Sequence, residues 1–233
     1  VKERVEDMTG TSYGWSIIQV LLVVVIVIVL LHLVKYYYTN YSFQYLNSPY
    51  LLERTKNGKH ALVISQDPEN KSSIIIKRSE GQDGIEFSYH FWMLIDDLNY
   101  KSGEWKHVFH KGNSSSYPNR APGVVIHPNT NALRIYMNSV DRILEYVDVD
   151  NIPIKKWIHI AIVLRNKDLD IYVNGYLKVR KELSSLPRQN DGDFWVNMFG
   201  GFEGYLSKIR YHNYAISFTE IDFLFVHNTR SSL

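Results

Sequence analysis

The sequence predicts an all-β fold: an antiparallel jelly-roll β-sandwich, preceded by one N-terminal transmembrane α-helix and closed by a short C-terminal helix. Three observations predict this class. A single uninterrupted apolar run lies near the N-terminus, about a dozen short segments with period-two alternation follow it, and no helical pattern alternates with those segments. Turn residues separate the segments, which is typical of an antiparallel sandwich and not of an α/β fold.

The apolar run covers residues 17–34, and only Gln19 and His32 in it are polar. As a helix it would be about 27 Å long, close to the hydrocarbon thickness of about 30 Å. A cleaved signal peptide would have a shorter apolar region and small residues at its exit, whereas this run exits through HLVKYYY. We therefore favour a retained single-pass anchor over a signal peptide, and the few flanking charges leave its orientation open. Its interfacial flanks are Tyr13, Trp15, Lys35, Tyr36, Tyr37 and Tyr38.

Changes in composition along the chain predict four parts. The segment after the apolar run is polar and aromatic without a period, as expected for a linker, and the strand-like segments begin only beyond it. The parts are an N-terminal flank (1–14), the transmembrane helix (15–38), a juxtamembrane linker (39–59) and the β-sandwich (60–233).

The clearest strand pattern is IEFSYHFWMLI at residues 85–95, where every odd-numbered residue is apolar. A hairpin is predicted where DIYV and YLKV flank Asn174 and Gly175, because both residues tolerate the positive φ of a two-residue type I′ turn. Further strands are predicted to begin at residues 61, 73, 105, 123, 132, 143, 157, 168, 176, 194 and 204.

A short closing helix is predicted at SFTE. Ser217 is placed to cap it and Glu220 to bond back to Ser217, as in a capping box. Ile216 and Ile221 occupy the positions of a hydrophobic staple.

Three stretches in this order, GIEFSYHFWMLI, KKWIHIAIVLRNKDLDIYVNGYLKVRKEL and FGGFEGYLSKIRYHNYAISFTEI, resemble the concanavalin A-like lectin/glucanase superfamily, in particular its laminin-G and pentraxin-like branch. The resemblance covers residues 60–228. The chain also looks like the cysteine-free, membrane-anchored members that large icosahedral DNA viruses such as chloroviruses encode, which implies a minor capsid protein. The residues that fill the family's motif positions are Phe87, Phe91, Trp92, Trp157, His159, Tyr172, Asn174, Gly175, Gly204, Ser217 and Glu220.

Because the superfamily includes glycoside hydrolases, acidic residues on one strand need attention. A laminarinase-type site would show E-x-D-x-x-E, and the nearest stretch here is EYVDVD, in which Asp148 and Asp150 alternate to the face opposite Glu145. We interpret these carboxylates as the solvated side of a strand. The sequence therefore indicates no catalytic residues and a protein that is not an enzyme.

No cofactor is expected, with calcium as a weak alternative. Paired acids in turns could offer oxygen ligands, but neither candidate pair matches a ligand series. His107 and His110 lie three apart on a predicted strand and should point to opposite faces, and His90, His159 and His212 are scattered over other strands. The weak metal candidates are Asp96, Asp97, Asp191 and Asp193.

Charge and cysteine content narrow the function classes. Lys plus Arg number 26 against 24 for Asp plus Glu, so the net charge of +2 gives no reason to expect a nucleic-acid partner. The absence of cysteine removes disulfides and thiol chemistry, and favours a reducing compartment or a virion interior.

The sequence thus predicts a non-enzymatic, membrane-anchored structural or interaction protein at the interface of a virion's inner membrane and capsid. Its expected partners are the lipid membrane and other capsid proteins. The alternative is a membrane-displayed carbohydrate-binding module, because Tyr100, Trp105 and Tyr117 lie near predicted loops and could bind a glycan.

Overall fold

The computed structural model describes residues 3–79 and 84–228, with side chains described for residues 17–40, 46–79 and 84–228. The chain divides into two units, residues 1–45 and residues 46–233.

Helix α1 (Glu3–Asn47) contains the apolar run, and its stretch Ile17–Asn40 is long and apolar enough to cross a membrane. The described side chains of this stretch are exposed, including the predicted flank residues Lys35, Tyr36, Tyr37 and Tyr38. The side chains of the other two predicted flank residues, Tyr13 and Trp15, lie outside the described residues. The helix extends beyond the predicted bounds of 15–38 at both ends. It ends near Pro49, because a proline disfavours helical backbone in the residue before it.

Residues 46–79 and 84–228 contain two antiparallel sheets, which confirms the predicted sandwich. The seven-stranded sheet has the order β1-β13-β4-β9-β10-β11, with β2 also paired to β13, and the six-stranded sheet has the order β3-β12-β5-β6-β7-β8. The strands are β1 (Tyr50–Leu52), β2 (Lys56–Asn57), β3 (Leu62–Ile64), β4 (Glu86–Asp97), β5 (Lys106–Gly112), β6 (Arg120–Ile126), β7 (Leu133–Tyr136), β8 (Tyr146–Val149), β9 (Trp157–Arg165), β10 (Asp168–Val173), β11 (Tyr176–Glu182), β12 (Phe194–Val196) and β13 (Glu203–His212).

The main core lies between the two sheets and follows the predicted alternation of β4. Phe87, Tyr89, Phe91, Met93 and Ile95 are all buried in it. Aromatic rings pack closely there, because inward-facing positions of two sheets must fill a layer about 10 Å thick. The other face of β4 is also buried, which the sequence did not predict.

Two predicted segments differ in the structure. The expected linker at residues 39–59 contains the end of α1 and the strands β1 and β2, which pair with β13 by backbone bonds that need no hydrophobic period. The segment predicted as a strand from residue 73 is not one, although Ile74 and Ile76 pack against the main core. The alternating isoleucines of this segment therefore reflect the burial of Ile74 and Ile76, and the segment pairs with none of the described strands.

The predicted hairpin turn is present, with Asn174 at φ 52° and Gly175 at φ 83°. It joins β10 to β11, which pair antiparallel with one irregularity between Ile171 and Tyr172. The side-chain oxygen of Asn174 also accepts a hydrogen bond from the His159 N–H at 2.9 Å, which ties the turn to β9.

Helix α2 (Phe218–Asn228) begins after the predicted cap: the Glu220 N–H donates to the Ser217 Oγ at 3.2 Å. The Glu220 carboxylate was predicted to bond back to Ser217. It instead accepts a hydrogen bond from the Tyr214 hydroxyl at 2.9 Å. Ile216 and Ile221 are buried in a second apolar cluster on the outer face of the seven-stranded sheet. This packing covers the face of β4 that points away from the main core.

Candidate functional site

An accessible cluster of aromatic and charged side chains lies on the outer face of the six-stranded sheet. Strand alternation places it there: Ile135 of β7 and Val147 of β8 are buried in the core, so their neighbours point outward. The aromatic–arginine face, as we define it, consists of Trp105, Arg120, Arg134, Tyr136, Tyr146 and Asp148.

A glycine shapes one half of this face. Gly123 of β6 pairs with Tyr136 of β7, which pairs with Tyr146 of β8. A Cβ at Gly123 would lie 3.2 Å from the Arg120 Cδ, so the missing side chain leaves room for the Arg120 stem. The Arg120 guanidinium consequently lies 3.3 Å from the centre of the Tyr136 ring.

Arg134 organises the other half of the face. Its Nε and Nη2 donate to the two Asp148 oxygens at 2.7 and 2.8 Å, a bidentate pair with fixed geometry. The same guanidinium lies 3.7 Å from the Tyr146 ring centre and 4.6 Å from that of Trp105. The hydrogen bond to Asp148 raises the pKa of Arg134 above its usual range. These contacts hold two aromatic rings in place before any partner arrives.

The face is accessible and carries a cation without an acid beside it. Trp105 is 39% exposed and Tyr146 is 40% exposed. Burial lowers the pKa of Arg120, but an arginine remains charged in a protein. Among the described residues, no carboxylate lies within ion-pair distance of Arg120. The arrangement can stack planar or apolar groups and donate hydrogen bonds to acceptors.

His107 and His110 lie on the same sheet face, and the prediction that they point to opposite faces was wrong. An irregularity in the pairing of β5 with β6 between His107 and Phe109 shifts the alternation, so the His107 Nε2 and the His110 Nδ1 come within 2.7 Å. Both rings are buried, and Phe199 packs edge-on against His107. Burial lowers the pKa of His107 to about 3 and that of His110 to about 4. Both therefore remain neutral at pH 7.

Most residues of the recurring motifs serve the packing of the fold. Phe87 and Phe91 lie in the main core, whereas Trp92 and His159 lie on the opposite face of the seven-stranded sheet, beneath α2. Trp157, also on β9, lies 6.5 Å from Tyr205 by ring centres. Tyr172 belongs to the second apolar cluster, and Gly204 has φ 143° where a Cβ would clash with the Leu94 carbonyl oxygen.

A family model, Laminin_G_3, described as the concanavalin A-like lectin/glucanases superfamily, matches residues 68–222. The chain belongs to this superfamily. No curated protein matches the chain in sequence.

Solved structures with the same concanavalin A-like fold include binding domains of botulinum neurotoxins. The serotype D binding domain has a TM-score of 0.55 and 15% identity, covering 79% of this chain and 51% of its own. The serotype G binding domain has a TM-score of 0.54 and 16% identity, with the same coverage of both chains. The chain spans about half the length of these structures, and identity this low shows the fold alone.

The acidic stretch EYVDVD, which lies nearest to a laminarinase-type pattern, accepts hydrogen bonds from other side chains of the protein. Asp148 pairs with Arg134, and Glu145 accepts from the Ser139 Oγ at 2.7 Å and from the Ser184 Oγ at 2.8 Å. Burial acts to raise the pKa of Glu145, but the serine bonds outweigh it and lower the pKa. A general acid of a glycosidase needs a raised pKa instead.

The weak metal candidates are not brought together. Asp97 accepts from the Asn99 N–H at 2.9 Å, Asp191 pairs with Arg78, and Asp193 accepts from the Gln66 N–H at 2.8 Å. Asp96 is partly buried on β4. Among the described residues, no group of three or more metal-ligating side chains is placed to hold an ion.

A lysine occupies the position where a cation would meet the 190–193 loop. The Lys111 ammonium donates to the Asn190 carbonyl oxygen at 3.0 Å and also to that of Gly192. Asp191 and Asp193 raise its pKa, but burial has the larger effect and lowers the pKa to about 8. The chain thus supplies its own positive charge to this loop.

Sequence reasoning named only part of the aromatic–arginine face. Trp105 was predicted to lie near a loop, together with Tyr100 and Tyr117. In the structure, the Tyr100 hydroxyl donates to the Gly200 carbonyl oxygen at 2.9 Å, and Tyr117 is exposed. Arg134 and Tyr136 were missed. The alternation in LRIY and YVDV could have found them, because it places Arg134, Tyr136, Tyr146 and Asp148 on one face of adjacent strands.

Proposed function

We propose that this chain is a non-enzymatic, membrane-anchored interaction protein that docks another protein on the aromatic–arginine face. The observation that carries the proposal is the Arg134 cluster, in which one guanidinium is fixed by Asp148 and lies over both Trp105 and Tyr146. Tryptophan, tyrosine and arginine dominate the binding energy of protein interfaces, above all where they are held rigid. The apolar stretch Ile17–Asn40 serves in this proposal as the anchor.

The specific partner in this proposal is a shell protein of a large DNA virus. The chain would then be a minor capsid protein that links the inner membrane of the virion to its shell. The resemblance to membrane-anchored viral members and the absence of cysteine support this part of the proposal. Fixing the distance between lipid and shell requires an anchor and a docking face, and no catalytic group.

A photocrosslinking experiment in virions tests the docking face. A benzophenone amino acid at Tyr146 should crosslink the full chain to a shell protein within assembled particles. The matched control is Tyr176, which is 72% exposed on β11 of the other sheet and should give no such product. Crosslinking from both positions, from Tyr176 alone or from neither would contradict docking through this face.

A second candidate function is glycan binding. The superfamily is named for lectins, and the fold neighbours with TM-scores above 0.5 include a botulinum neurotoxin receptor binding domain. Exposed faces of Trp105 and Tyr146 are suited to stack sugar rings. A glycan array probed with the full chain in detergent micelles, with and without calcium, tests this function. Binding that disappears in Trp105→Ala but persists in Tyr176→Ala would support it, whereas an array without signal would exclude it.

The proposal that the chain is not an enzyme has its own test. The full chain, incubated with β-glucans in detergent micelles, should release no reducing sugar above a buffer control. Release that is lost in Glu145→Gln would overturn the proposal, because Glu145 is the carboxylate nearest to a glucanase pattern.

A further inference from the structure

Three histidines from adjacent strands meet on the outer face of the seven-stranded sheet. His212 lies on β13, His90 on β4 and His159 on β9, and these strands are neighbours in that order. The ring centres of His90 and His159 are 5.3 Å apart, as are those of His90 and His212. Each side chain is at most 1% exposed. These three residues are hereafter the histidine cluster.

The chain after β13 packs over the same face as the histidine cluster. Phe225 of α2 stacks on Trp92 with ring centres 6.0 Å apart and lies 6.3 Å from the His159 ring. Tyr214 packs edge-on against His212 at 5.4 Å. Helix α2 and the preceding residues 213–217 are hereafter the C-terminal cover.

Hydrogen bonds at the start of the C-terminal cover hold it to the rest of the domain. The Asn213 N–H donates to the Asn47 carbonyl oxygen at 2.9 Å, and the Asn213 side-chain amide donates to the Asn47 Oδ1 at 3.1 Å. The Ile216 N–H donates to the Ser88 Oγ at 3.0 Å, the Ser88 hydroxyl donates to the Tyr214 carbonyl oxygen at 2.9 Å, and Arg165 donates to the Ile216 carbonyl oxygen at 3.2 Å. Its apolar residues belong to the second cluster and not to the main core. It follows the last strand of the sandwich, so it can move without breaking a strand pair.

Most ring nitrogens of the histidine cluster are buried without a hydrogen-bond partner among the described residues. The side-chain hydrogen bond that its described residues make joins the His159 Nε2 and the His90 Nδ1 at 3.2 Å. Buried polar groups are ordinarily hydrogen-bonded, and isolated ones are costly. Within the described ranges, the buried nitrogens on this face without a hydrogen-bond partner are the His90 Nε2, the Trp92 Nε1, the His159 Nδ1 and both ring nitrogens of His212.

Among the residues that the structure describes, no acid compensates the histidine cluster from the elements packed against it. On β13 the nearby charge is Arg210, which opposes protonation of His90 and of His212. On β9 and β10, Arg165 pairs with Asp170, which is also bound by Arg180. The ionisable groups of the C-terminal cover are engaged elsewhere: Tyr214 and Glu220 bond each other, Asp222 lies beside Gly175 of the hairpin turn, and His227 stacks on Phe223.

We propose that the histidine cluster is an acid-operated release for the C-terminal cover. Protonation of the cluster places like charges beside Arg210 in a space where the described part of the chain supplies no counter-charge. The cover then leaves the sheet, the imidazolium groups reach water, and the sandwich remains folded. The C-terminal cover would thereby expose Trp92 and the inner face of α2 only under acidic conditions.

The magnitude of the effect is sufficient for a switch. Burial lowers the pKa of His159 to about 4 and that of His212 to about 3, and burial moves the pKa of His90 downward as well. A released histidine regains its ordinary pKa of about 6.5, so at pH 5 each one shifts the ratio of released to docked cover by roughly 30-fold. Two such histidines shift the ratio by about 900-fold.

The chain contains no cysteine, so a single introduced thiol reports on one position. Leu224→Cys places the thiol on the buried side of α2, where Leu224 is 9% exposed, and Phe223→Cys places it on the exposed side, where Phe223 is 57% exposed. Dithiodipyridine labelling of the full chain in detergent micelles should give a Leu224→Cys to Phe223→Cys rate ratio that rises about tenfold or more from pH 7.5 to pH 5. An unchanged ratio would overturn the proposal.

A third thiol separates release from unfolding. Val124→Cys lies in the main core, where Val124 is 0% exposed, and should stay unreactive over the same pH range. If Val124→Cys becomes reactive together with Leu224→Cys, the transition is global unfolding and the proposal fails.

The trigger is tested by substitution of the cluster. His90→Gln, His159→Gln and His212→Gln combined should abolish the rise in the labelling ratio, whereas His60→Gln, at an exposed histidine, should preserve it. A rise that persists in the triple variant would overturn the proposal. If the triple variant fails to fold, His212→Gln alone must make the pH dependence shallower by about one proton, and an unaltered slope counts against the cluster.

Discussion

At the scale of single residues, Arg134 shows how one side chain preorganises a surface. A lysine there would keep the charge but lose the bidentate pair with Asp148 and the planar contact with Trp105 and Tyr146. We expect Arg134→Lys to lower the free energy of unfolding by about 1–2 kcal/mol, because the bidentate geometry and the planar contact with two rings are lost while the charge remains. Urea unfolding followed by near-UV circular dichroism measures it.

Lys178→Arg provides the matched control for Arg134→Lys, because Lys178 is exposed on β11. It should leave the free energy of unfolding within about 0.5 kcal/mol of the parent. A loss in Arg134→Lys no larger than this would mean that the guanidinium contacts do not stabilise the face.

Lys111 illustrates a residue that acts as an internal cation. We expect Lys111→Met to lower the free energy of unfolding by about 2–4 kcal/mol, because the carbonyl oxygens of Asn190 and Gly192 would lose a buried donor. Lys178→Met, at an exposed position, should have almost no effect. Urea unfolding at pH 7 distinguishes the two variants.

The pKa of Lys111 also fixes the sign of a pH effect. Its folded pKa is about 8 and its ordinary value is 10.5, so between these values the unfolded chain binds a proton that the folded chain has released. The contribution of this lysine to the free energy of unfolding therefore rises from pH 8 to pH 10.5. The difference in unfolding free energy between the parent and Lys111→Met should widen over this range, and a narrowing would contradict the assignment.

At the scale of elements, α2 depends on its cap. The Ser217 Oγ accepts the Glu220 N–H, whereas Thr219 is exposed inside the first turn. Ser217→Ala should lower the free energy of unfolding by about 1 kcal/mol. Thr219→Ala is the control and should leave it unchanged or slightly higher, because alanine is the better helix former. Equal effects of the two substitutions would show that the cap does not determine the stability of α2.

Local patterns predicted the elements better than the contacts between them. The turn at Asn174 and Gly175 and the strand β4 were predictable, because positive φ and alternation are properties of neighbouring residues. The proximity of His107 and His110 was not, because irregular pairing between β5 and β6 shifts the side-chain alternation. The strands β1 and β2 were not predicted, because strands of three and two residues are too short to show an alternation of apolar and polar residues in the sequence.

The aromatic–arginine face and the histidine cluster share this limit. Alternation alone places Arg134 and Tyr136 outward, but the close contact of Arg120 with Tyr136 requires the register that pairs Gly123 with Tyr136. Likewise, His90, His159 and His212 are far apart in sequence, and only the strand order β13-β4-β9 brings them together. Both clusters are products of strand pairing, which a single sequence does not display.

At the scale of the whole molecule, the two outer sheet faces bury five histidines that are kept neutral at pH 7. Their folded pKa values lie below the ordinary 6.5, so below that pH the unfolded chain binds more protons than the folded chain. The stability they preserve is fully present above pH 6.5 and is lost as the pH falls toward about 3. The five residues are His90, His107, His110, His159 and His212.

The steepness of this loss distinguishes a rigid molecule from one that releases its C-terminal cover. Each histidine contributes a slope of about 1.4 kcal/mol per pH unit while its proton is excluded from the folded state. If all five stay buried until the sandwich unfolds, the slope near pH 5 is about 7 kcal/mol per pH unit. If the cover is released first, the histidine cluster is already protonated in the folded sandwich, and only His107 and His110 remain, giving a slope of about 3 kcal/mol per pH unit.

We expect the smaller slope. Urea unfolding of the full chain in detergent micelles at pH 6.0, 5.5 and 5.0, followed by near-UV circular dichroism of the sandwich, measures it directly. His107→Gln should reduce the slope by about 1.4 kcal/mol per pH unit, because it removes a histidine that stays buried. His212→Gln should leave the slope near pH 5 unchanged, because the released cluster no longer contributes to it. A slope near that of five protons, or an equal reduction in both variants, would mean that the cover stays docked until the whole sandwich unfolds.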